Sequence, residues 1–372
     1  MGGAVNAPAR LTAIPREIAC ATDYEPFARE RLDDNAWAYL SSGAGDEATL
    51  HDNRAAFGRL RLKTRVLADV RGGHTRLELF GRSYPHPVLL APVAYQRLFH
   101  PDGEIATVAG AGAMEACTVA STLASTRLED IAGATRGPLW FQLYIQPDRD
   151  YTLELVRRAE AAGCAALVVT VDAPLAGVRN REQRAAFRLP PGVAAVNLAD
   201  APTVPAREIP ADASVVFDGL MAHAPTWRDI DWLVRHTVLP VVVKGILDPE
   251  DAQRALAHGA AGVVVSNHGG RILDALPAAI DALPAVAAAV GARAPVLLDG
   301  GVRRGADIVK ALALGASAVM IGRPYIHGLA AAGGLGVAHV LRMLREELEV
   351  TMALCGCATL QQIDRRVLFS AP

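Results

Sequence analysis

The chain has few cysteines, few aromatic residues and almost no net charge. Among its 372 residues there are 5 cysteines, aromatic residues make up 5%, and 37 Lys and Arg residues face 39 Asp and Glu residues. The scattered, odd-numbered cysteines predict reduced thiols rather than a disulfide framework. Because there is no basic excess to neutralise phosphates, the composition argues against a nucleic-acid partner.

The sequence also lacks a long apolar run and the common hydrolase and metal motifs. No uninterrupted apolar stretch approaches the roughly 20 residues of a membrane span, and the first residues have no apolar core typical of a secretory signal. We therefore expect a cytoplasmic protein with no membrane partner. HExxH, GxSxG, the Walker A pattern and metal-ligand spacings are all absent, which argues against a metal site and against a serine nucleophile.

What the sequence does contain, from residue 87 onward, is a series of short apolar runs with helical patterns between most of them. The runs are continuous rather than alternating, as expected for strands that are covered on both faces. Eight such runs over roughly 250 residues predict an α/β fold of the (β/α)8 type, a TIM barrel. The runs cover residues 87–94, 117–124, 138–145, 165–172, 240–246, 261–267, 294–300 and 317–323.

A doubly wound parallel sheet is the alternative fold. Its first strand–helix turn would be expected to carry the GxGxxG pattern of a dinucleotide site. The glycine pairs Gly110/Gly112 and Gly334/Gly336 lack the third glycine and follow no predicted strand. These observations favour the barrel.

Two segments extend the predicted barrel, and we expect a single domain over residues 1–372. Residues 23–60 have apolar residues at helical spacing, which predicts an N-terminal helical segment over about residues 1–64. The interval between the fourth and fifth runs is rich in proline and alanine. It predicts a long structureless loop over about residues 188–224, a lid at the face where barrels place their active sites.

Polar residues lie at or just after the carboxyl ends of most of the apolar runs. The carboxyl ends of barrel strands surround one pocket, and unpaired polar groups buried there would be costly unless they served a ligand. The sequence therefore predicts one site that gathers Ala94, Ser121, Gln142, Tyr144, Thr170, Lys244, Ser266, His268, Asp299, Arg303 and Arg323.

The strongest local motif is Ser-Asn-His-Gly-Gly-Arg over residues 266–271. His268 follows a predicted strand, and the ordinary pKa of histidine suits a general base. Arg271 would hold a carboxylate bidentately, and the two glycines between them would permit close approach of a substrate. A purely structural histidine is the alternative, which this combination disfavours.

Glycine and arginine lie at or just after the ends of the last two runs. Gly301 and Arg303 follow the seventh run, and Gly322 and Arg323 are the last residues of the eighth. Barrels often bind phosphate through these two loops, so we predict a phosphate site there, with turn formation alone as the alternative. Lys244, near the end of the fifth run, would place a positive charge beside a cofactor ring.

These motifs resemble the FMN-dependent α-hydroxy acid oxidases and dehydrogenases, the family of glycolate oxidase, lactate oxidase and mandelate dehydrogenase. The resemblance covers about residues 23–368 and implies a TIM barrel, FMN as the cofactor, a 2-hydroxy acid as the substrate and a homotetramer. It rests on SNHGGR followed by Leu273-Asp274, FQLY over 141–144, TVDAP over 170–174, VVKGI over 242–246, LDGGVRRGADIVKALALGA over 298–316, and the stretch from Tyr39 to Ala44.

The resemblance also implies residue roles. His268 would take a proton from the substrate hydroxyl or α-carbon, since carbanion and hydride mechanisms both use this histidine. Arg179 and Arg271 would hold the carboxylate, and Tyr39 and Tyr144 would form hydrogen bonds to the substrate. The catalytic set would be His268, Tyr144, Arg271 and Lys244. FMN would be bound by Pro92, Val93, Ala94, Ser121, Gln142, Thr170, Lys244, Ser266, Asp299, Gly301, Arg303, Gly322 and Arg323.

Three details favour one branch of this family. Residues 188–224 lack the apolar or basic amphipathic stretch of membrane-bound mandelate dehydrogenases, and Ala94 stands where some dehydrogenases have glycine. Both features favour a soluble enzyme that O2 reoxidises, with release of H2O2. Leu123 stands where glycolate oxidases have a bulky tryptophan, which leaves room for an aromatic side chain. We therefore expect oxidation of (S)-mandelate or 4-hydroxymandelate to the 2-oxo acid.

Four alternatives stay open. The enzyme could be a dehydrogenase that passes electrons to a quinone or cytochrome, which the yield of peroxide tests. It could be an oxidase of short-chain acids such as lactate or glycolate, which a substrate panel tests. A catalytically silent FMN-binding barrel predicts yellow protein that no substrate reduces. A phosphate-binding aldolase or isomerase barrel predicts colourless protein.

Overall fold

The computed structural model describes residues 8–203, 209–210 and 212–369. Its amino-terminal part is helical, as the sequence predicts for about residues 1–64, although residues 1–7 lie outside the described ranges. The helices of this part are α1 (Tyr24–Arg31), α2 (Asp34–Ser41) and α3 (Ala48–Arg59). Asn53 in α3 exchanges two amide hydrogen bonds of 2.9 Å with Asn267, which fixes this segment to the loop that carries His268.

A short antiparallel hairpin follows, formed by β1 (Leu77–Leu79) and β2 (Arg82–Tyr84). The Tyr84 hydroxyl accepts a hydrogen bond from the Trp140 indole at 3.1 Å, and the Phe80 ring packs against the same indole at a centroid distance of 5.5 Å. Trp140 lies near the start of a barrel strand. The hairpin therefore covers the amino-terminal end of the barrel and leaves the carboxyl end to a ligand.

The predicted barrel is confirmed. Within the described ranges, parallel strands pair in chain order, and the last strand pairs with the first by aligning Val319 with Val88, so that the barrel is closed. Each strand lies inside one predicted run and is shorter than it, because the runs continue into the loops at the strand ends. The doubly wound alternative is wrong. The barrel strands are β3 (Val88–Leu90), β4 (Thr118–Ser121), β5 (Leu139–Leu143), β6 (Leu167–Thr170), β7 (Val241–Ile246), β8 (Gly262–Val265), β9 (Val296–Leu298) and β10 (Ala318–Ile321).

Helices cover the outside of the barrel. They are α4 (Gly103–Ala113), α5 (Leu128–Ala134), α6 (Arg149–Ala161), α8 (Trp227–Val234), α9 (Pro249–Ala257), α10 (Ala279–Val290), α11 (Gly305–Ala313) and α12 (Arg323–Leu354), the last with non-helical backbone at Ala332 and Gly333. The short helix α7 (Asn180–Arg184) lies instead in the segment after β6, where it contacts α2. The glycine pairs Gly110/Gly112 and Gly334/Gly336 form no dinucleotide motif. Two of these glycines, Gly110 in α4 and Gly334 in α12, lie against each other where the two helices pack. A Cβ atom on Gly110 would lie 2.3 Å from the Gly334 carbonyl oxygen, so these helices approach backbone to backbone.

The segment between β6 and β7 contains more structure than the sequence predicts. Short helical turns at Val196–Leu198, Val215–Gly219 and Leu220–His223 interrupt the predicted loop of residues 188–224, of which residues 204–208 and 211 lie outside the described ranges. The buried Asn197 side chain accepts hydrogen bonds of 2.9 Å from the Leu128 N–H and from Arg158 Nη2. The prediction of a structureless loop is thus wrong at Asn197, which is pinned to α5 and α6, and the lid role stays a prediction.

No helix in the described part of the chain is long and apolar enough to cross a membrane. The single domain over residues 1–372, the cytoplasmic localisation and the homotetramer stay predictions.

Candidate active site

A cavity of about 720 Å³ lies at the carboxyl ends of the barrel strands. Pockets of this size are typical of small-molecule and cofactor sites. With one exception, Ser266, the residues that the sequence and the family resemblance place at the site line this cavity: Tyr39, Pro92, Val93, Ala94, Ser121, Gln142, Tyr144, Thr170, Arg179, Lys244, His268, Arg271, Asp299, Gly301, Arg303, Gly322 and Arg323.

His268 is held against a carboxylate. Its Nδ1 lies 2.9 Å from Asp172 Oδ1. Burial alone would raise the pKa of Asp172, but the adjacent His268 and the Lys244 ammonium together hold this pKa below its ordinary value. An ionised carboxylate only accepts hydrogen bonds, so Nδ1 carries the hydrogen. The Nε2 atom of a neutral His268 is then free of hydrogen and ready to accept a proton.

The loop that carries His268 turns through three consecutive residues with left-handed backbone. His268 has φ of 56°, and Gly269 and Gly270 have φ of 65° and 74°. A Cβ atom on Gly270 would lie 2.7 Å from the Leu50 N atom, and one on Gly269 would lie 3.1 Å from Arg323 Nη1. The two glycines therefore admit α3 and Arg323. Gly269 also lines the cavity, and close approach of a substrate there stays a prediction.

Gly245 positions Asp172 from the neighbouring strand. It has φ of 110° and lies where the pairing of β7 with β8 shifts register between Lys244 and Ile246. A Cβ atom at this position would lie 2.5 Å from Asp172 Cβ and 2.6 Å from Asp172 Cγ. Only glycine fits both this backbone conformation and this distance.

We expect Gly245→Ala to slow substrate oxidation by about tenfold to a hundredfold, since displacing Asp172 misaligns His268 and small misplacements in a catalytic site have effects of this size. The rate of flavin reduction measures it. Gly163→Ala is the matched control, because Gly163 has φ of 74° but no atom lies within 4 Å of the place that its Cβ would occupy. A reduction rate as low in Gly163→Ala as in Gly245→Ala would show that backbone strain, and not displacement of Asp172, causes the loss.

Lys244 is buried and paired with Asp299. The Nζ atom lies 2.9 Å from Asp299 Oδ2 and donates a hydrogen bond of 2.9 Å to Ser266 Oγ. Burial would lower the pKa of Lys244, but the carboxylates of Asp299 and Asp172 outweigh this effect and raise it above its ordinary value. Lys244 therefore supplies a permanent positive charge at the cavity wall.

Ser266 lies behind that wall, fully buried. Its Oγ accepts hydrogen bonds from Lys244 Nζ at 2.9 Å and from the His268 N–H at 3.0 Å. The structure therefore brings Ser266 to Lys244 and His268 rather than to the cavity surface. This position does not support the expected contact between Ser266 and FMN.

Two arginines and a buried glutamate form the next part of the site. Arg271 Nη2 donates a hydrogen bond of 3.1 Å to Glu182 Oε1, and Arg179 Nε lies 3.2 Å from Glu182 Oε2. Arg271 Nη1 donates to the backbone oxygens of Tyr39 at 2.7 Å and Ser42 at 2.9 Å. Within the described ranges, no residue accepts a hydrogen bond from Arg271 Nε or from either Nη of Arg179, so these donors are left for a ligand.

Two tyrosines lie beside these arginines. The Tyr39 ring stacks on Phe187 at a centroid distance of 4.8 Å, and the Arg271 guanidinium lies 5.0 Å from the centre of the Tyr39 ring. Burial raises the pKa of both Tyr39 and Tyr144. Their phenols therefore stay protonated and are available as hydrogen-bond donors.

Arg303, in the loop before α11, and Arg323, at the start of α12, form a second cationic group. Enclosure in the cavity wall and the charge of Arg54 lower the pKa of Arg303 to about 10. Enclosure and the charges of Arg271 and Arg303 lower the pKa of Arg323 to about 9. No carboxylate in the described ranges forms a salt bridge with either side chain, and buried charges are normally paired. An anion at the amino-terminal end of α12 would supply the missing charge.

The site fits FMN on grounds of its own chemistry. Two buried atoms on the cavity wall, Gln142 Nε2 and Asp299 Oδ1, have no hydrogen-bond partner among the described residues. A flavin ring offers carbonyl oxygens and ring nitrogens to an amide donor, and a ribityl chain offers hydroxyls to a carboxylate. A phosphate would pair with Arg303 and Arg323. The residues predicted to hold FMN therefore have unpaired hydrogen-bonding atoms and charges, and the flavin ring, the ribityl chain and the phosphate of FMN would pair with them.

Sequence reasoning assigned no role to Asp172 or Glu182. Asp172 lies within the TVDAP motif, and Glu182 lies between the arginine-rich residues that follow it. The one available signal is position: Asp172 is the last residue of the fourth apolar run and Glu182 follows that run, both on the predicted active-site face. Neither residue belongs to a cluster of three or more metal-binding side chains, and no such cluster occurs in the part of the chain that the structure describes.

Comparison with known proteins gives consistent matches. The sequence profile of the FMN-dependent dehydrogenase family matches residues 28–370. The chain is 52% identical to an L-lactate oxidase of Alicycliphilus denitrificans, over 95% of this chain and 97% of the relative. It is 43% identical to glycolate oxidase 1 of Zea mays, over 94% of this chain and 95% of the relative. A solved structure of a mandelate oxidase variant with (S)-mandelic acid superimposes with a TM-score of 0.86 at 42% identity, over 95% of this chain and 98% of that one.

Proposed function

Because the chain belongs to the FMN-dependent dehydrogenase family, we propose that it oxidises (S)-2-hydroxy acids with an apolar side chain, and that its substrate is (S)-mandelate or 4-hydroxymandelate. At the coarser level, the chain is an FMN-dependent oxidase of 2-hydroxy acids, like the lactate, glycolate and mandelate oxidases that it matches.

The observation that carries the finer proposal is an apolar wall in the cavity beside the arginines. Leu123 contributes to it from the loop after β4, and Phe187, Leu189, Leu220 and Ile272 contribute from other loops of the carboxyl face. Apolar side chains give a phenyl ring a surface to bury, and burying an aromatic side chain contributes more than burying a methyl group.

The residues of the chain have distinct tasks in the proposed reaction. Arg179 and Arg271 bind the substrate carboxylate through the donors that Glu182 leaves open. Tyr39 and Tyr144 donate hydrogen bonds to the substrate oxygens. These contacts orient the α-carbon and bring its hydroxyl to Nε2 of His268.

His268 then accepts a proton at Nε2, and the Asp172 carboxylate stabilises the imidazolium that results. Bound FMN would supply the acceptor for the two electrons that the substrate loses. The Lys244 charge stabilises negative charge that develops on the cofactor side of the site. The substrate loses two electrons and two protons to become the 2-oxo acid, and O2 takes up two electrons and two protons to become H2O2.

Anaerobic mixing with (S)-mandelate is expected to bleach the flavin absorbance, because the substrate reduces the cofactor when O2 is absent. Readmission of O2 should restore the absorbance and release one H2O2 for each 2-oxo acid formed. (R)-Mandelate is the control and should leave the spectrum unchanged, since it presents its α-hydrogen on the wrong side. Bleaching without a stoichiometric yield of H2O2 would favour the quinone- or cytochrome-linked dehydrogenase.

L-Lactate is the second candidate substrate, and its support is the identity with the L-lactate oxidase relative. The same anaerobic experiment with L-lactate and glycolate distinguishes the two proposals. A larger kcat/KM for L-lactate than for (S)-mandelate would replace the aromatic substrate with the short-chain one and leave the oxidase function standing.

A further inference from the structure

Glu182 is buried, at 7% exposure, between the two arginines that would bind the substrate carboxylate. Its Oε1 accepts hydrogen bonds from Ser42 Oγ at 2.6 Å and from Arg271 Nη2 at 3.1 Å, and its Oε2 lies 3.2 Å from Arg179 Nε. One carboxylate therefore contacts both guanidinium groups. We refer to Arg179, Arg271 and Glu182 together as the clamp.

The clamp carries a net charge of plus one, since Glu182 cancels one of the two guanidinium charges. Nearby Arg181 does not alter this balance, because it forms a salt bridge with Glu47. Burial lowers the pKa of Arg271, and Arg179 lowers it further, whereas Glu182 opposes the decrease. Without Glu182, two enclosed positive charges would face the ligand.

We propose that Glu182 is a positioning and specificity-determining residue that sets the clamp to a single positive charge and so matches it to substrates with one carboxylate. The inference rests on the proposed function, because it takes the ligand of the clamp to be the carboxylate of a 2-hydroxy acid. Glu182 accepts a hydrogen bond from Arg271 Nη2 and forms a salt bridge with Arg179 through Nε, which leaves Arg271 Nε and the two Nη atoms of Arg179 to the substrate. It acts through the arginines rather than on the reacting atoms.

The test compares two ligands that have almost the same size and shape but differ in charge. Oxalate is a dianion, and oxamate, in which an amide replaces one carboxylate, is a monoanion. The dissociation constant of each is measured on the FMN-loaded enzyme from the change in flavin absorbance, without turnover. The ratio of the oxamate constant to the oxalate constant reports the preference for the dianion, and all charges outside the clamp cancel in comparisons between variants.

Glu182→Gln keeps the size of the side chain and raises the clamp charge to plus two. We expect it to shift the ratio at least tenfold in favour of oxalate, because a unit charge at contact distance in an enclosed site has an effect of this size. Glu182→Asp keeps the charge and should leave the ratio within about threefold of the wild type. Ser42→Ala is the matched control, since it removes a hydrogen bond to Glu182 without changing any charge, and it should leave the ratio similarly unchanged.

Two further variants test the proposal if Glu182→Gln fails to fold: one removes a positive charge from the clamp, and the other restores the net charge. Arg179→Gln alone should shift the ratio at least tenfold towards oxamate. The double variant with Arg179→Gln and Glu182→Gln restores a charge of plus one and should return the ratio to near the wild-type value. A ratio that stays within twofold of the wild type in Glu182→Gln or in Arg179→Gln, or a wild type that binds neither ligand, would overturn the proposal.

Failure of the proposed function gives a different result. If no 2-hydroxy acid reduced the flavin, while oxalate and oxamate bound with the expected dependence on charge, the clamp would stand and the reaction would not. If the flavin were reduced normally but the ratio did not respond to Glu182, the reaction would stand and the role of Glu182 would not.

Discussion

Replacing His268 by alanine is expected to slow reduction of the bound flavin by substrate roughly a thousandfold or more, while FMN stays bound. A positioned general base contributes on the order of 10²–10⁴ to a rate. His268 is oriented from two directions, by Asp172 at Nδ1 and by Ser266 at its backbone N–H. Among the described residues, His223, in the segment after β6, is the one other histidine that lines the cavity.

Stopped-flow measurement of anaerobic flavin bleaching gives the rate, and the absorbance of the purified variant gives the FMN content. His258→Ala is the control, because His258 lies at the end of α9, stacks on Trp227 and does not line the cavity. In this variant, substrate should reduce the flavin at the wild-type rate. Turnover within tenfold of the wild type in His268→Ala would remove His268 from the role of base.

Asp172→Asn should reproduce most of the loss in His268→Ala. An amide cannot stabilise the imidazolium as a carboxylate does, and its NH2 group can leave His268 in the wrong tautomer. Two variants that affect different residues but slow the same step would support Asp172 and His268 as one unit.

The barrel and most of the site could be predicted because parallel strands leave a strong trace in a sequence. Strands that are buried on both faces appear as continuous apolar runs, and the carboxyl end of each run marks the ligand-binding face. Thr170 and Lys244, for example, are separated by 73 intervening positions in the chain but pair directly between β6 and β7. The positions of the strand ends in the sequence were therefore enough to predict that residues from different strands share one site.

The contacts that tune the site could not be predicted, because each joins residues that are far apart and individually ordinary. Asp172 and His268 are 96 positions apart, and Glu182 and Arg271 are 89 apart. A carboxylate in a loop gives no sign of its partner until the fold is known. Gly110 and Gly334 likewise gave no sign in the sequence that they allow the backbones of α4 and α12 to touch. The hydrogen bonds of Asn197, which fix part of the predicted lid, also join residues that are far apart in the chain.

Replacing Arg323 by methionine is expected to weaken FMN binding about a hundredfold. The three guanidinium nitrogens of Arg323 donate hydrogen bonds of 2.9–3.1 Å to the backbone oxygens of Leu40, Gly269 and Ser42, and no carboxylate in the described ranges forms a salt bridge with it. Burial and the charges of Arg271 and Arg303 lower the pKa of Arg323 to about 9, and a phosphate dianion would oppose both effects by pairing with the guanidinium. Methionine keeps the length and apolar volume of the side chain but offers the phosphate neither charge nor donors.

Riboflavin, which lacks the phosphate, separates this effect from general damage to the cavity. The wild-type apoprotein should bind FMN far more tightly than riboflavin, whereas Arg323→Met should bind the two with similar affinity and should bind riboflavin as the wild type does.

The thermal stability of the protein should depend on FMN in the same way. A hundredfold loss of FMN affinity removes about 2.7 kcal/mol of the stabilisation that bound ligand provides, so the increase in Tm on adding FMN should shrink in the variant. The apoprotein of the variant should itself be less stable, because the backbone oxygens of Leu40, Gly269 and Ser42 lose the hydrogen bonds that Arg323 donates, so the measure is the increase in Tm on adding FMN and not the Tm of the apoprotein. If Arg323→Met kept the wild-type preference for FMN over riboflavin, the phosphate would have to bind elsewhere in the cavity.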